Sequence, residues 1–229
     1  MQLQFVESII TSVMFICAYG ISVTLTETGQ AWVAAKLGDN TPNMAGWNSL
    51  NPFDHMDLIG TILVVIFHIS FVRHVPLSPY SQQNQSHPMV RLATIYFSQS
   101  FFALLLAFVS MTFCVILFGT QTLSFVFSDF LHTIPDRSTF AILFGLLLYA
   151  MVVYNIFMAV FGFILNGLWL YISHVNPTFL QQYSPMTVLL GTIAVLYVLL
   201  LIFERPLLIL AHIFIRYGAL LISSLFGVA

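Results

Sequence analysis

Five long apolar runs dominate the chain, at about 5–35, 92–119, 139–174, 185–203 and 206–227, and a shorter one extends from Leu58 to Val72. A helix needs about 20 apolar residues to cross about 30 Å of hydrocarbon, which the five long runs supply and the sixth does not. Polar connectors with turn chemistry separate them. Gly38-Asp39-Asn40-Thr41-Pro42 ends the first helix, and Val75-Pro76-Leu77-Ser78-Pro79 through Ser86-His87-Pro88 is the longest polar stretch. After Thr133-Ile134-Pro135-Asp136-Arg137, Ser138 is placed to cap the next helix. Glu204-Arg205-Pro206 divides the last two runs, with Pro206 suited to a first helical turn. No soluble domain, repeat or low-complexity tail interrupts the pattern. It predicts one membrane domain over 1–229, with a core at about 5–175 and two additional C-terminal helices within 185–227.

Composition agrees with that reading. Hydrophobic residues make up 59% of the 229 positions and charged ones 6%, with a mean hydropathy of +0.97. Soluble domains carry about 25% charged residues, so this is an integral membrane protein. A formal charge of −2, without any Lys/Arg cluster, excludes a nucleic-acid surface. The aromatic share of 15%, including 23 Phe, suits lipid-facing surfaces and helix packing. Cys17 and Cys114 both lie in apolar runs and are expected to be buried free thiols. The first run lacks a basic leader, has Glu7 at its start and has no small-x-small cleavage site, so it reads as a retained helix and not a signal peptide.

Candidate chemistry centres on Thr26-Glu27-Thr28-Gly29-Gln30, which precedes Ala31-Trp32-Val33-Ala34-Ala35-Lys36-Leu37-Gly38-Asp39 and then Leu50-Asn51-Pro52-Phe53-Asp54-His55-Met56-Asp57-Leu58-Ile59-Gly60-Thr61. These strings resemble the site-2 protease family of intramembrane zinc metallopeptidases. Tyr154-Asn155-Ile156-Phe157-Met158-Ala159-Val160-Phe161 resembles a further run of that family, and Arg73-His74-Val75-Pro76 echoes another. The likeness covers about 20–175. It implies an all-α integral membrane protein, a site-2-protease-like helical bundle of about five transmembrane helices with a re-entrant or interfacial segment at 58–72.

In that family a His-Glu-x-x-His helix and a later Leu-Asp-Gly meet at one zinc ion. Two His at i and i+4 share a helix face and bind the metal, and the Glu acts as general base on its water. Here the two histidine positions hold Thr26 and Gln30, and the aspartate position holds Asn166, within Leu165-Asn166-Gly167. A hydroxyl and two amides are poor zinc donors beside imidazole and carboxylate. The resemblance therefore implies a vestigial protease site of Thr26, Glu27, Gln30 and Asn166, with no catalytic residue, no metal and no cofactor. For the two motifs to reach one depth, their helices must run parallel, with 92–119 returning between them. That leaves 58–72 without a crossing of its own.

An intramembrane carboxylate is costly and marks a functional position by default. Glu27 is expected to be protonated and hydrogen-bonded to Gln30 or Asn166, as a structural relic or a contact for a partner or ligand. Glu27, Gln99, Asn155 and Asn166 are candidate partner or pocket contacts; the alternative is plain interhelical hydrogen bonding. The family's element at the start of the third helix corresponds here to Ser98-Gln99-Ser100. His55 and Asp57 are expected in turn and interface roles, His68 and His212 as satisfied buried histidines, and His74, His87, His132 and His174 near helix ends. There is no Gly-x-Ser-x-Gly elbow, phosphate loop, Cys-x-x-Cys pair or c-type haem motif.

These readings converge on a non-enzyme: a catalytically inactive homologue serving as a structural, accessory or regulatory subunit of a larger inner-membrane complex. Its expected partners are other integral membrane proteins and membrane lipid. Residual metal-dependent intramembrane proteolysis, and a small transporter or proton path through Glu27, are the alternatives. Lys36, Arg73 and Arg91 against Arg137 and Arg205 lean towards an outside N-terminus in a bacterial inner membrane.

Overall fold

The computed structural model describes residues 2–68, 70, 75–78, 81, 86–119, 138–175, 191, 194–195, 198, 209 and 213–227. Those residues are helical or irregular, without a strand. Three helices carry the fold: α1 (Gln2–Lys36), α5 (Pro88–Phe118) and α6 (Thr139–Val175). Ser8–Lys36 and the whole of α5 and α6 are long and apolar enough to cross a membrane. Between α1 and α5 lie three short helices, α2 (Thr41–Met44), α3 (Pro52–His55) and α4 (Leu58–Phe67). A last apolar helix, α7, covers Ile213–Phe226. Most of the expected crossing at 185–203, together with Arg73, His74, His132, Arg137, Arg205 and His212, lies outside the described residues.

Local chemistry sets the helix ends. At the end of α1, Gly38 takes φ 94, and the N–H groups of Gly38 and Asp39 return to the carbonyls of Ala35 (3.1 Å) and Ala34 (2.8 Å). That is the Schellman arrangement, which needs a residue tolerant of positive φ. The guanidinium of Arg91 donates to the carbonyl of Leu37 at 3.2 Å, so the start of α5 sits at the end of α1. Asn51 caps α3 by accepting from Phe53 N, and Asp57 caps α4 by accepting from Gly60 N at 2.7 Å. Ser138 accepts from Ala141 N at 3.3 Å at the start of α6.

The contacts fix the directions of the helices. Ile10 and Met14 pack with Leu146 and Leu148, while Ser22 reaches Asn155, so α1 and α6 run parallel. Gln99 meets Asn166 and Tyr96 meets Ser173, while Met111 and Val115 pack with Leu146 and Val152, so α5 is antiparallel to α6. α4 has 10 residues, about 15 Å of helix, or half of the hydrocarbon thickness. It packs by Val64 on Phe15 and Tyr19 of α1, and the His68 ring meets Phe15 at a tilt of 53°, with centroids 4.7 Å apart. The chain then returns, because Ser78 N donates to Asp39 at the end of α1. Residues 41–68 thus leave one end of α1 and dip to the depth of Phe15, and residues 75–78 lie back at that end: a re-entrant segment.

Two apolar clusters fill the bundle beside α4 and α7, one around Tyr19, Ala103 and Tyr154, the other around Met111, Leu146 and Ile222. A smaller cluster of Leu92, Tyr96 and Trp169 closes the opposite end. Between them runs a buried polar belt of Ser22, Thr26, Glu27, Gln30, Ser98, Gln99, Ser100, Asn155 and Asn166. Cys114 is buried as expected, but Cys17 is exposed, because a helix apolar on every side does not declare in sequence which face it buries.

Candidate functional site

Glu27 lies within the polar belt with no exposed surface. Its partner is His55, whose Nδ1 sits 3.0 Å from Glu27 Oε2, with both side chains about fully enclosed at 1% exposure. The other imidazole nitrogen, Nε2, lies 2.7 Å from the carbonyl oxygen of Ser49. Thr28 Oγ1 donates to that same carbonyl at 2.6 Å. Consecutive residues of α1 therefore grip the 47–57 loop at two points.

The loop braces itself. Ser49 Oγ donates to Asp54 Oδ2 at 2.6 Å, Asn51 Nδ2 donates to Asp54 Oδ1 at 3.2 Å, and Pro52 opens α3. Trp47 meets the His55 ring edge-on at 5.9 Å. Beyond α3, Tyr19 OH donates to Asp57 Oδ2 at 3.3 Å. Gly60 is needed at this crossing, because an added Cβ would collide with Tyr19 OH and lie 2.9 Å from both Asp57 Oδ2 and Ser70 Oγ. The hydrogen bond to Glu27 raises the pKa of His55 above its ordinary value, against the opposing effect of burial.

The structure corrects one expectation here. Glu27 bonds to His55 and not to Gln30 or Asn166. Gln30 Nε2 instead donates to the carbonyl of Ile95 at 3.1 Å, and Asn166 Nδ2 donates to Gln99 Oε1 at 3.3 Å. His55, expected in a turn and interface role, stands in the turn at the end of α3 and bonds Glu27 at the interface with α1, which brings it into the site. Its signal in the sequence was the Leu-Asn-Pro-x-x-His-x-Asp string, but its partner lies 28 residues away on α1. His68 also differs from expectation. It is only half-buried, closes α4 in the left-handed region at φ 57, and its Nε2 has no hydrogen-bond partner. His87 and His174 are exposed at helix ends.

The polar belt joins the three long helices. Asn155 Nδ2 donates to Ser22 Oγ at 2.7 Å and to the carbonyl of Met151 at 2.8 Å. Several buried polar atoms there have no partner: Gln30 Oε1, Gln99 Nε2, Ser100 Oγ and Asn155 Oδ1.

These donors do not fit zinc. Thr26 Oγ1 is turned back onto the carbonyl of Ser22 at 2.8 Å, and the amides of Gln30 and Asn166 are already committed to α5. Neither class supplies the nitrogen, sulfur or carboxylate donors of a tight zinc site. Among the described residues, no group of three or more His, Cys, Asp or Glu is arranged to hold a metal ion.

Comparison with known proteins adds one relative. Over 58 residues the chain is 38% identical to a Bacillus subtilis (strain 168) protein named "Putative zinc metalloprotease YwhC". Those residues are 25% of this chain and 26% of that protein, so the match spans about a quarter of the length of the curated relative. No protein-family model matches the chain, and no solved structure matches it. The match supports a relationship of site-2 protease type. It also overturns the expectation that the chain is not an enzyme, because the relative is named as a zinc metalloprotease and so points towards protease activity.

Proposed function

We propose that this chain holds the transmembrane segment of another protein inside the bilayer, as a membrane subunit of site-2-protease type within a larger assembly. The observation that carries this reading is the pair of unmatched atoms in the polar belt, the acceptor Gln30 Oε1 on α1 and the donor Gln99 Nε2 on α5. Together they complement one peptide group, which offers one N–H and one C=O. A membrane segment that leaves helical geometry needs such partners, since lipid provides none. The excess of Lys36, Arg73 and Arg91 over Arg137 and Arg205 supports an outside N-terminus in a bacterial inner membrane.

Peptide capture tests it. The full chain in nanodiscs, with a photoreactive residue at Ser98, should label single-span peptides carrying a central Asn-Pro break more strongly than an unbroken poly-leucine span. Replacement of Gln30 and Gln99 by Leu should remove the difference. Equal labelling of both peptides by the unmodified chain sinks the reading.

The name of the relative favours a second reading, in which the held segment is cleaved. Mass spectrometry of the same peptides after incubation decides it. Fragments formed by the unmodified chain and absent with Glu27→Gln support cleavage; intact peptide in both removes it. Because the donor set does not fit zinc, no metal-dependent step is assigned to these residues.

A further inference from the structure

The two oxygens nearest the imidazole of His55 differ in kind, and Thr28 Oγ1, which donates to the same Ser49 carbonyl, lies farther off at 3.4 Å from Nε2. The Ser49 carbonyl, 2.7 Å from Nε2, can only accept, so Nε2 carries a hydrogen. Nδ1 then either accepts from a protonated Glu27 or donates to its carboxylate across 3.0 Å. In both arrangements one proton lies between Nδ1 and Oε2, and the couple is neutral as a unit.

The ring has supports besides its bond to Glu27. The 47–57 loop is held by Ser49, Asn51 and Asp54 through bonds of its own, and Trp47 abuts the imidazole. Nε2 on the Ser49 carbonyl and the edge of Trp47 fix the plane of the ring, and Thr28 Oγ1 on the same carbonyl ties that loop to α1. Glu27 projects from α1 into the polar belt, where its Oε2 meets the ring nitrogen that the loop does not engage.

We propose that His55 is the positioning residue of Glu27: its Nδ1 fixes where the carboxyl group points, and so ties the site to the placement of the 47–57 loop. This rests on the second reading above, in which Glu27 is required for cleavage of the held segment. His55 touches no substrate in this assignment; it acts through Glu27.

Two substitutions separate the two halves of the ring. His55→Asn places an amide where Nδ1 stands and abandons Ser49. His55→Gln reaches towards the Nε2 position and abandons Glu27. The probe is the carboxyl stretch of Glu27 in the infrared spectrum of the full chain in nanodiscs, assigned by its loss in Glu27→Gln. The band should stay near its unmodified position in His55→Asn and should shift and broaden in His55→Gln. A residue serving only to hold the loop gives the reverse order, and that result, or equal spectra, overturns the assignment.

A second measurement needs no change at His55. With ¹⁵N-labelled histidine, Glu27→Gln should move the Nδ1 resonance of His55 and leave Nε2 in place; no movement of Nδ1 also overturns it. Loss of peptide capture with these spectral responses intact would remove the proposed function and leave the Glu27–His55 assignment standing.

Discussion

Asp39 Oδ2 accepts the backbone N–H of Ser78 at 2.8 Å while Oδ1 accepts that of Thr41 at 3.0 Å, so one buried side chain closes both ends of the re-entrant segment. Hydrogen bonds to charged groups contribute about 1.5–3 kcal/mol each. Asp39→Ala should therefore cost at least about 3 kcal/mol and expose both N–H groups, whereas Asp39→Asn, with one acceptor oxygen left, should lose about half as much. Thermal unfolding in nanodiscs, with hydrogen exchange at Ser78, measures both effects.

The attachment of the 47–57 loop should weaken as pH rises. His55 has a raised pKa in the folded chain, chiefly through Glu27. Such a group contributes stability that is fully present below its unfolded value of about 6.5 and is lost as pH rises through the raised folded value. Backbone exchange at Leu50–Asp54 should accelerate as pH rises through that folded value, and His55→Gln should abolish the trend. A flat profile in the unmodified chain would contradict the coupling.

Gly29 is set by α5. A Cβ there would lie 2.6–3.0 Å from three ring carbons of Phe102. Overpacking of this kind costs about 1–3 kcal/mol, so Gly29→Ala should lower the melting temperature. Phe102→Leu in the same chain should restore part of the loss, because the two sites share one contact. Additive losses in the double variant would place the strain elsewhere.

The Gln99–Asn166 contact is a modest tie. Interhelical hydrogen bonds in membranes contribute about 0.6 kcal/mol on average, so Asn166→Leu should cost about that amount and leave the bundle folded. A loss of several kcal/mol, measured by steric trapping or denaturant titration in bicelles, would show that the belt carries more of the stability than this pair accounts for.

Metal dependence can be checked directly. Thr26, Gln30 and Asn166 are hydrogen-bonded to protein partners, so chelation with 1,10-phenanthroline should leave the melting temperature unchanged. A stabilising shift on adding zinc that disappears in Glu27→Gln would reveal a site that the described donors do not form.

Much of the fold was legible. The lengths of the apolar runs mark α1, α5 and α6, and the shortness of α4 follows from counting residues against bilayer thickness. The parallel course of α1 and α6 followed from placing Thr26–Gln30 and Asn166 at one depth. The site was harder to read. Glu27 and His55 meet only because the 41–57 segment folds back along α1, and local periodicity carries no sign of such a return. The orientation of Cys17 was hidden for a different reason: a uniformly apolar helix has no polar face to mark its outside. Asp39 could be read as a turn residue, but its bond to Ser78 depends on where the chain returns after α4.

That return has a topological consequence. Gly46 has open space around it, and Ser86 is exposed just before Arg91 reaches the end of α1. Epitope tags inserted at these two points should report the same aqueous compartment, although an apolar helix separates them in the chain. A hydropathy count that scored 58–72 as a crossing would assign them to opposite compartments and invert the sidedness of everything that follows.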